Sequence, residues 1–443
     1  MFRNKLFIIS FFFIFFISIL SLLFGSFLFG VKVGIKRESP YFEKIFYLYN
    51  ISKNYDFEIS KIFDKTRHQK IKEKNSNITK NTISYLENKI GIQTGKIPEN
   101  LVITATLSLL EQDNKVNHYL IFLKGNEIIH KINLNEKKFQ TVENYYKWPH
   151  GLVINNLKEV YYNFDSGNSL VKKDLCGDII WEIEGKFHHL MSINKNYLWA
   201  LKKENFGDYD TSEKFLKLNT ENGKILDSFN TRDLIKANLP YDYFSIKQRD
   251  LSPIWEYEPF HYNDVDILTN EFSEYFNEYK EGDLLISSRS LNSIFVVDPT
   301  NLKVKKFLFG LARRQHDPDW NKGYITLYDN QTEWGYDDSG KEIRPFKSRI
   351  LKINNLDEKN LETIHYNSSF ISDARGNHDV LDLGNGKVYS LIISPYEGKL
   401  LLFRGENLIY SLENNQKNEI LPISNGKIIN NGKIIDNIKK CQK

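Results

Sequence analysis

Short apolar or alternating runs follow one another from Leu101 onward, separated by turn sequences such as Asn-Gly, Glu-Gly and Ser-Gly. Representative runs are Tyr119–Leu123, Val160–Phe164, Asp283–Ser287 and Gly323–Tyr328. Runs of about four to eight residues with such boundaries predict β-strands. No long segment with helical periodicity alternates with them. This pattern disfavours a doubly wound sheet and favours an all-β sandwich, barrel or propeller.

A weak internal repeat of roughly fifty residues favours the propeller over the other two architectures. One unit spans 101–134, and five further units each begin at a histidine, namely His150, His188, His261, His316 and His378. Six units of four strands predict a six-bladed β-propeller, because propellers typically have about four to eight four-stranded blades. The tail 414–443 is predicted to supply strands that close the ring.

The first 33 residues are predicted to form an uncleaved membrane anchor. Leu6–Val31 is an apolar run interrupted only by Ser and Gly, and a transmembrane helix needs about 20 such residues. The run exceeds the apolar core of about 7–15 residues in a secretory signal, and Phe29–Lys32 is a poor cleavage site. Basic residues lie on both sides of the run, so charge does not predict its orientation.

Residues 34–98 are polar and charged, with helix-spaced apolar positions at 42–49 and 59–63. We predict that this segment is a short, partly helical stalk that ends at Pro98. Residues 99–443 then form the propeller domain.

Composition excludes several kinds of function. The 60 basic and 56 acidic residues nearly balance, so the electrostatic footprint of a nucleic-acid-binding protein is absent. Two cysteines, Cys176 and Cys441, exclude a Cys-rich metal site but allow one disulfide. The segment Gly91–Lys96 is one residue too short for a phosphate-binding loop, and it lacks the Ser or Thr that follows the lysine in that motif.

The histidines that open the repeats are the candidate site. If each blade places its entry on the same face, they converge at the mouth of the central channel, as convergent polar groups do in binding sites. The alternative is that they are scattered structural histidines. Arg289 suits the oxygens of sulfate or phosphate because its planar fork presents paired donors, although it could equally be a surface residue.

Several motifs together resemble the arylsulfotransferase family of bacterial sulfuryl-transfer enzymes. The resemblance covers about residues 100–410, and its motifs are Trp148–Gly151, Phe187–His189, Pro259–Val265, Gly282–Ile294, Gln315–Asp317 and Gly323–Asn330. It implies a six-bladed propeller with a central site. It also implies an exported enzyme that needs no cofactor and no nucleotide sulfate donor.

The resemblance implies a role for each residue of the candidate site. His316 would be the nucleophile that is transiently sulfated, with Arg289 and His261 binding the sulfuryl oxygens. His189, or its neighbour His188, would do the same or move the phenol proton. The remaining predicted substrate-binding residues are Asn263, which would donate an amide hydrogen bond, His150 and His378.

The predicted function is therefore sulfuryl transfer from an aryl sulfate to a phenol through a sulfohistidine, by a membrane-anchored domain in the periplasm or outside the cell. The alternative is a non-catalytic propeller that binds an anionic ligand or a partner protein in the same channel. A metal site built from the histidines is disfavoured, because no carboxylate-rich or tightly spaced ligand set accompanies them. Nucleic acid is not an expected partner, and the oligomeric state is not predicted.

Overall fold

The computed structural model describes residues 91–110, 116–134, 148–164, 168–203, 213–241, 260–331, 335–336, 342–343, 347–372, 374–384, 386–416, 419–430 and 432–441. The predicted anchor and the stalk up to residue 90 lie outside these residues. Within them, no helix has the length and apolar character needed to cross a membrane.

Six antiparallel sheets of four or five strands form the six blades, so the predicted all-β, six-bladed propeller is confirmed. In each blade the strands follow one another from the channel outward. Blade 1 contains β29 (Ile423–Asn430), β2 (Leu101–Leu110), β3 (Val116–Lys124) and β4 (Glu127–Asn133). Blade 2 contains β5 (Pro149–Asn155), β6 (Glu159–Phe164), β7 (Ser169–Asp174) and β8 (Ile179–Glu184). Blade 3 contains β9 (Lys186–Asn194), β10 (Tyr197–Lys203), β11 (Lys214–Asn219) and β12 (Ile225–Asn230).

The second half of the ring follows the same order. Blade 4 contains β13 (Tyr262–Ile267), β14 (Leu284–Ser288), β15 (Ser293–Asp298) and β16 (Lys303–Phe309). Blade 5 contains β17 (His316–Trp320), β18 (Tyr324–Asp329), β21 (Arg349–Asn354) and β22 (Leu361–Ile364). Blade 6 contains β23 (Asn377–Asp382), β24 (Val388–Ser394), β25 (Lys399–Arg404), β26 (Asn407–Glu413) and β1 (Gln93–Gly95).

The remaining described elements are short. Two hairpins are formed by β19 (Gly335–Tyr336) with β20 (Glu342–Ile343) and by β27 (Asn415–Gln416) with β28 (Glu419–Ile420). The helices are α1 (Thr231–Asn238), α2 (Asn270–Ser273) and α3 (Gly432–Cys441), with 3-10 turns at Glu358–Asn360 and Pro395–Glu397.

The ring is closed from both ends of the described chain. The late strand β29 pairs with β2 and becomes the innermost strand of blade 1, which is the role predicted for the tail. The early strand β1 pairs with β26 at the outer edge of blade 6. Because β1 falls within the segment predicted as a stalk, the propeller begins before residue 99.

One apolar cluster fills each of the six interfaces between neighbouring blades. The inner strands of a blade have an apolar cluster on each face. In β2, for example, all ten residues are buried. At the interface of blades 3 and 4, Phe215 stacks on Phe229 at 4.6 Å between ring centroids and meets Tyr262 edge-on at 4.9 Å. Full burial of such a side chain contributes about 1.5–3 kcal/mol. The wedge-shaped cores therefore hold the innermost strands around the channel.

A disulfide fixes the closing strand in place. Helix α3 follows β29, and its Ile434 and Ile438 pack into the cluster between blades 1 and 2. Cys441 at the end of α3 is bonded to Cys176 in the turn between β7 and β8, 265 positions earlier in the chain. The pairing that the sequence leaves open is therefore present.

We expect the double substitution Cys176→Ser and Cys441→Ser to lower the free energy of unfolding by about 2–5 kcal/mol, because the unfolded chain would lose a long covalent loop. Denaturant titration followed by tryptophan fluorescence measures the change. The wild-type protein in reductant should match the variant. An unchanged denaturation midpoint would show that β29 does not depend on this bond.

Candidate active site

The innermost strands begin with distorted backbone. The pairing of β5, β9, β13 and β17 with the next strand shifts register beside His150, His189, Asn263 and Asp317. His189, His261 and Asp317 have positive φ angles of 59°, 43° and 54°. Non-glycine residues rarely adopt this region, and such strain is concentrated at functional sites. The bulges turn successive side chains of each strand into different parts of the channel.

Glycine is required where blades 2 and 3 approach each other. A Cβ atom on Gly151 would lie 2.1 Å from the carbonyl oxygen of His189 and 2.8 Å from Nδ2 of Asn163. The Asn163 side chain bridges the same gap, accepting from the Gly151 N–H and donating to the His189 carbonyl, both at 3.0 Å. These contacts fix His150 and His189 relative to each other.

Five histidines and Arg289 lie together where these strands begin, and we call this group the histidine cluster. Its members are His150, His188, His189, His261, His316 and Arg289, all buried. The ring of His189 contacts those of His150, His188 and His261, with centroid separations of 4.2, 4.9 and 4.9 Å. Convergence of these repeat entries is what the sequence predicts.

His316 is held in one tautomer. Its Nδ1 lies 2.8 Å from Oδ1 of Asn330 and 3.0 Å from the Arg314 carbonyl, so Nδ1 carries the proton and donates it. Nε2 accepts the backbone N–H of Arg375 at 3.1 Å. Burial, and then the charge of Arg289, lowers the pKa of His316 well below its ordinary value, although the Asn330 hydrogen bond opposes this shift in part. The ring is therefore neutral at pH 7, with its lone pair on Nε2.

Arg289 is positioned by His261, the residue directly before β13. Its backbone N–H donates to the His261 carbonyl at 3.1 Å, and its side chain is 8% exposed. The guanidinium lies near enough to His316 to be the second largest cause of the lowered pKa of that ring. A buried guanidinium presents paired donors of the kind that suit an anionic ligand.

His189 is the first of three linked groups, which continue through His188 to Glu213. Its Nδ1 lies 2.6 Å from Nδ1 of His188, and Nε2 of His188 lies 2.9 Å from Oε1 of the fully buried Glu213. The second contact is an ion-pair distance without ideal hydrogen-bond alignment. Burial, followed by the charges of His150 and His188, lowers the pKa of His189 well below its ordinary value.

Asn263 has a framework contact in this structure. Its Nδ2 donates to the Gln315 carbonyl at 2.7 Å, which ties blade 4 to the residue before His316. The Gln315 amide in turn donates to Oγ of Ser287 and to the carbonyl oxygens of Ser288 and Ser293. The predicted hydrogen bond from Asn263 to substrate stays a prediction.

His378 faces another part of the channel. Its Nδ1 lies 2.9 Å from Oδ2 of Asp317, and its Nε2 lies 3.7 Å from Oδ2 of Asp319. These residues line a cavity of about 460 Å³, the channel cavity, whose lining includes no member of the histidine cluster. The structure thus separates His378 from the other histidines that open repeats.

Carboxylates crowd this cavity, contrary to the expectation that no carboxylate-rich set accompanies the histidines. Burial, followed by the charge of Asp317, raises the pKa of Asp264 and of Asp319 well above the ordinary range. Burial also raises the pKa of Asp266 and Asp379. Two Asp-x-Asp pairs in the sequence, at 264 and 266 and at 317 and 319, could have indicated this set, since residues two apart in a strand share a face.

Three groups at the site were missed by sequence reasoning. Asn330 fixes His316 and also donates to the carbonyl oxygens of Ser372 and Arg375. The N–H of Arg375 faces His316 from blade 6, and Glu213 faces His188 from blade 3. Asn330 lies in one of the motifs that carry the family resemblance, whereas nothing in the local sequence distinguishes Arg375 or Glu213.

Comparisons with solved structures return distant matches. A protein of unknown function from Bacteroides caccae is 11% identical, with 76% of this chain and 99% of that chain covered and a TM-score of 0.45. Apo AztD from Citrobacter koseri is 10% identical, with coverage of 76% and 98% and a TM-score of 0.36. BamB from Moraxella catarrhalis is 10% identical, with coverage of 76% and 91% and a TM-score of 0.34. These values support no argument about function.

The sequence comparisons are more specific. No curated protein is significantly similar to the chain. The profile of the family described as Arylsulfotransferase (ASST) matches residues 158–392, which is more than half of the chain. This match includes every member of the histidine cluster except His150. The chain therefore belongs to the arylsulfotransferase family.

Proposed function

We propose that this protein transfers a sulfuryl group from an aryl sulfate to a phenol, with Nε2 of His316 as the nucleophile. Family membership suggests sulfotransferase activity in general. The observation that carries the finer proposal is the state of His316, which is neutral, fixed by Asn330 and placed beside Arg289. Only a neutral imidazole has a lone pair to attack sulfur.

The reaction divides into two balanced steps. In the first, the Nε2 lone pair forms a bond to sulfur, the bond between sulfur and the aryl oxygen breaks, and phenolate leaves. In the second, the acceptor phenolate attacks sulfur, the S–N bond breaks, and His316 recovers its lone pair. The lone pair holds the Arg375 N–H at 3.1 Å, so this hydrogen bond has to break before attack.

Charge on the sulfuryl oxygens is held by Arg289, with His261 as a second donor. Donors placed in advance where charge develops stabilise a transition state more than water does. Once sulfur occupies Nε2, the released Arg375 N–H becomes a further donor. Gly376, with a φ of 134°, passes so close to Tyr328 that a Cβ would lie 2.6 Å from the ring. That packing fixes the turn that directs the Arg375 N–H toward His316.

His189 is the group we assign to the acceptor proton. A phenol has a pKa of about 10, so its proton must be removed for attack at neutral pH. The Glu213 carboxylate favours a proton on Nε2 of His188, which leaves Nδ1 of His188 to accept from His189. Nε2 of His189 then carries a lone pair that can take the phenol proton.

We further propose that residues 6–31 anchor the protein in a membrane and that the propeller acts in the periplasm or outside the cell. The disulfide between Cys176 and Cys441 supports this location, because such bonds persist in oxidising compartments.

Two observations favour the alternative, a propeller that only binds an anion. They are the 2% exposure of His316 and the occupation of its Nε2 by the Arg375 N–H.

Replacing His316 with Asn should lower transfer from 4-nitrophenyl sulfate to phenol by about 10⁴-fold or more, because no nucleophile remains. Mass spectrometry of wild-type protein quenched with donor alone should find one added sulfuryl group on the peptide containing His316. The matched control is His365→Asn at an exposed position, which should retain activity and labelling. Wild-type turnover by His316→Asn would show that another group is the nucleophile, and no turnover by the wild type would favour the binding protein.

The pH dependence follows from the sign of the His316 pKa shift. Because the pKa is lowered, the first step should be constant above about pH 6.5, the unperturbed value for His, and should fall only in more acidic solution. Arg289→Gln removes a cation that lowers this pKa, so the falling limb should move to higher pH. The same variant should lose about 10²–10³ in rate.

Single-turnover release of 4-nitrophenol at several pH values tests this shift. Arg404→Gln, at an exposed arginine, is the control and should keep the wild-type profile. If the acidic limb of the pH profile does not move in Arg289→Gln, an electrostatic contact between Arg289 and His316 is contradicted.

Glu213→Gln should slow the second step by about 10²-fold or more for phenol. The glutamine no longer favours the tautomer of His188 that accepts from His189, so His189 removes the phenol proton less well. A strongly acidic acceptor such as a nitrophenol is largely ionised and should be affected much less. The measurement is the rate of desulfation of labelled enzyme against acceptor pKa. An equal loss for all acceptors would indicate a structural role for Glu213.

A further inference from the structure

The channel cavity is separate from the proposed nucleophile and has its own chemistry. Residues of all six innermost strands line its volume of about 460 Å³. Its acidic residues include Asp264 and Asp266 from β13, Asp317 and Asp319 from β17, and Asp379 from β23. The cations that line it are Lys322 and Lys427, and His378 is its histidine.

One nitrogen of His378 is oriented into this cavity. Oδ2 of Asp317 accepts the ring Nδ1–H at 2.9 Å and the backbone N–H of His378, and Asn377 Nδ2 also donates to it, at 3.1 Å. Nδ1 therefore donates to Asp317, and Nε2 is the ring nitrogen that faces the cavity. The side chain is 1% exposed, and Nε2 has no hydrogen-bond partner among the described residues.

Asp319 is the carboxyl group nearest to that nitrogen, with its Oδ2 at 3.7 Å from Nε2. Its side chain is 35% exposed, on the channel cavity. Asp266 differs, because its oxygens already accept from Ser192, Ile267 and Trp320. Nε2 of His378 and the Asp319 carboxyl group face each other without a hydrogen bond between them, and a cation placed between them would bind both.

The donor set indicates the kind of cation. A histidine whose second nitrogen is held by a carboxylate is the usual arrangement around protein-bound metals. Two ligands of one ion at about 2.0–2.2 Å lie about 3–3.5 Å apart, close to the separation seen here. An imidazole nitrogen with carboxylate oxygens suits Zn²⁺ or Mn²⁺ better than Ca²⁺ or Mg²⁺.

We propose that the channel cavity binds one divalent transition-metal ion through Nε2 of His378 and the carboxylate of Asp319, with Asp317 holding the histidine ring. Oxygens of Asp317 and Asp319 and the imidazole nitrogen of His378 all lie within 4.8 Å of one another, so small side-chain movements complete the site. Water and the neighbouring Asp264 supply further oxygen ligands. This proposal does not depend on sulfuryl transfer.

The test uses the purified full-length protein, stripped with a chelator and titrated with Mn²⁺ by electron paramagnetic resonance. One ion should bind per chain, with a pulsed-resonance coupling to one imidazole nitrogen. His378→Gln and Asp319→Asn should each weaken binding at least about tenfold, and Asp317→Asn by about 10–100-fold through loss of ring orientation. Zn²⁺ should compete for the same site.

His365→Gln is the matched control, because this histidine is exposed, and it should bind Mn²⁺ like the wild type. Circular dichroism in chelator checks that each variant is folded, and the nitrogen coupling in the wild-type protein decides the question without any variant. Absence of stoichiometric binding, absence of that coupling, or binding unchanged in both His378→Gln and Asp319→Asn would overturn the proposal.

Discussion

Closure of the ring is the constraint on which the site depends. Each wedge of apolar side chains between two blades holds the innermost strands at a fixed distance, but the circle is complete only when β29 enters blade 1 and pairs with β2. Asn425 on this strand donates to the Pro149 carbonyl, and the Asp379 carboxylate accepts the Ile428 N–H. Both neighbouring blades are therefore fixed through one late strand. The positions of His150 and His378 follow from that closure.

A single strand divides the channel into two chemical environments. His316 faces other imidazoles and a guanidinium, while Asp317 and Asp319 face further carboxyl groups. The positive φ of Asp317 and the bulge beside it separate these directions within three residues. Asp317 and Asp319 are thus directed away from His316, where their carboxylates would repel the sulfate that we propose as its substrate.

The sequence predicted those features that repeat locally. Alternating strands, regular turns and a histidine at five of the six entries were sufficient for the number of blades and for the cluster around His189 and His316. It did not predict the pairing of β1, because three residues carry too little pattern to show their partner. Likewise, the separation of His378 depends on a hydrogen bond to Asp317 across two blades, and the role of Arg375 depends on a backbone N–H, which no residue type reveals.

The order of strands along the chain has a consequence for when the enzyme becomes competent. The innermost strand of the first blade is made after every other innermost strand, so a nascent chain holds an incomplete first blade and an open circle until residues 423–430 are available. A growing chain therefore cannot complete the channel before its last strand has been made. The Cys176–Cys441 bond likewise has to wait for the end of the chain, because Cys441 follows the closing strand.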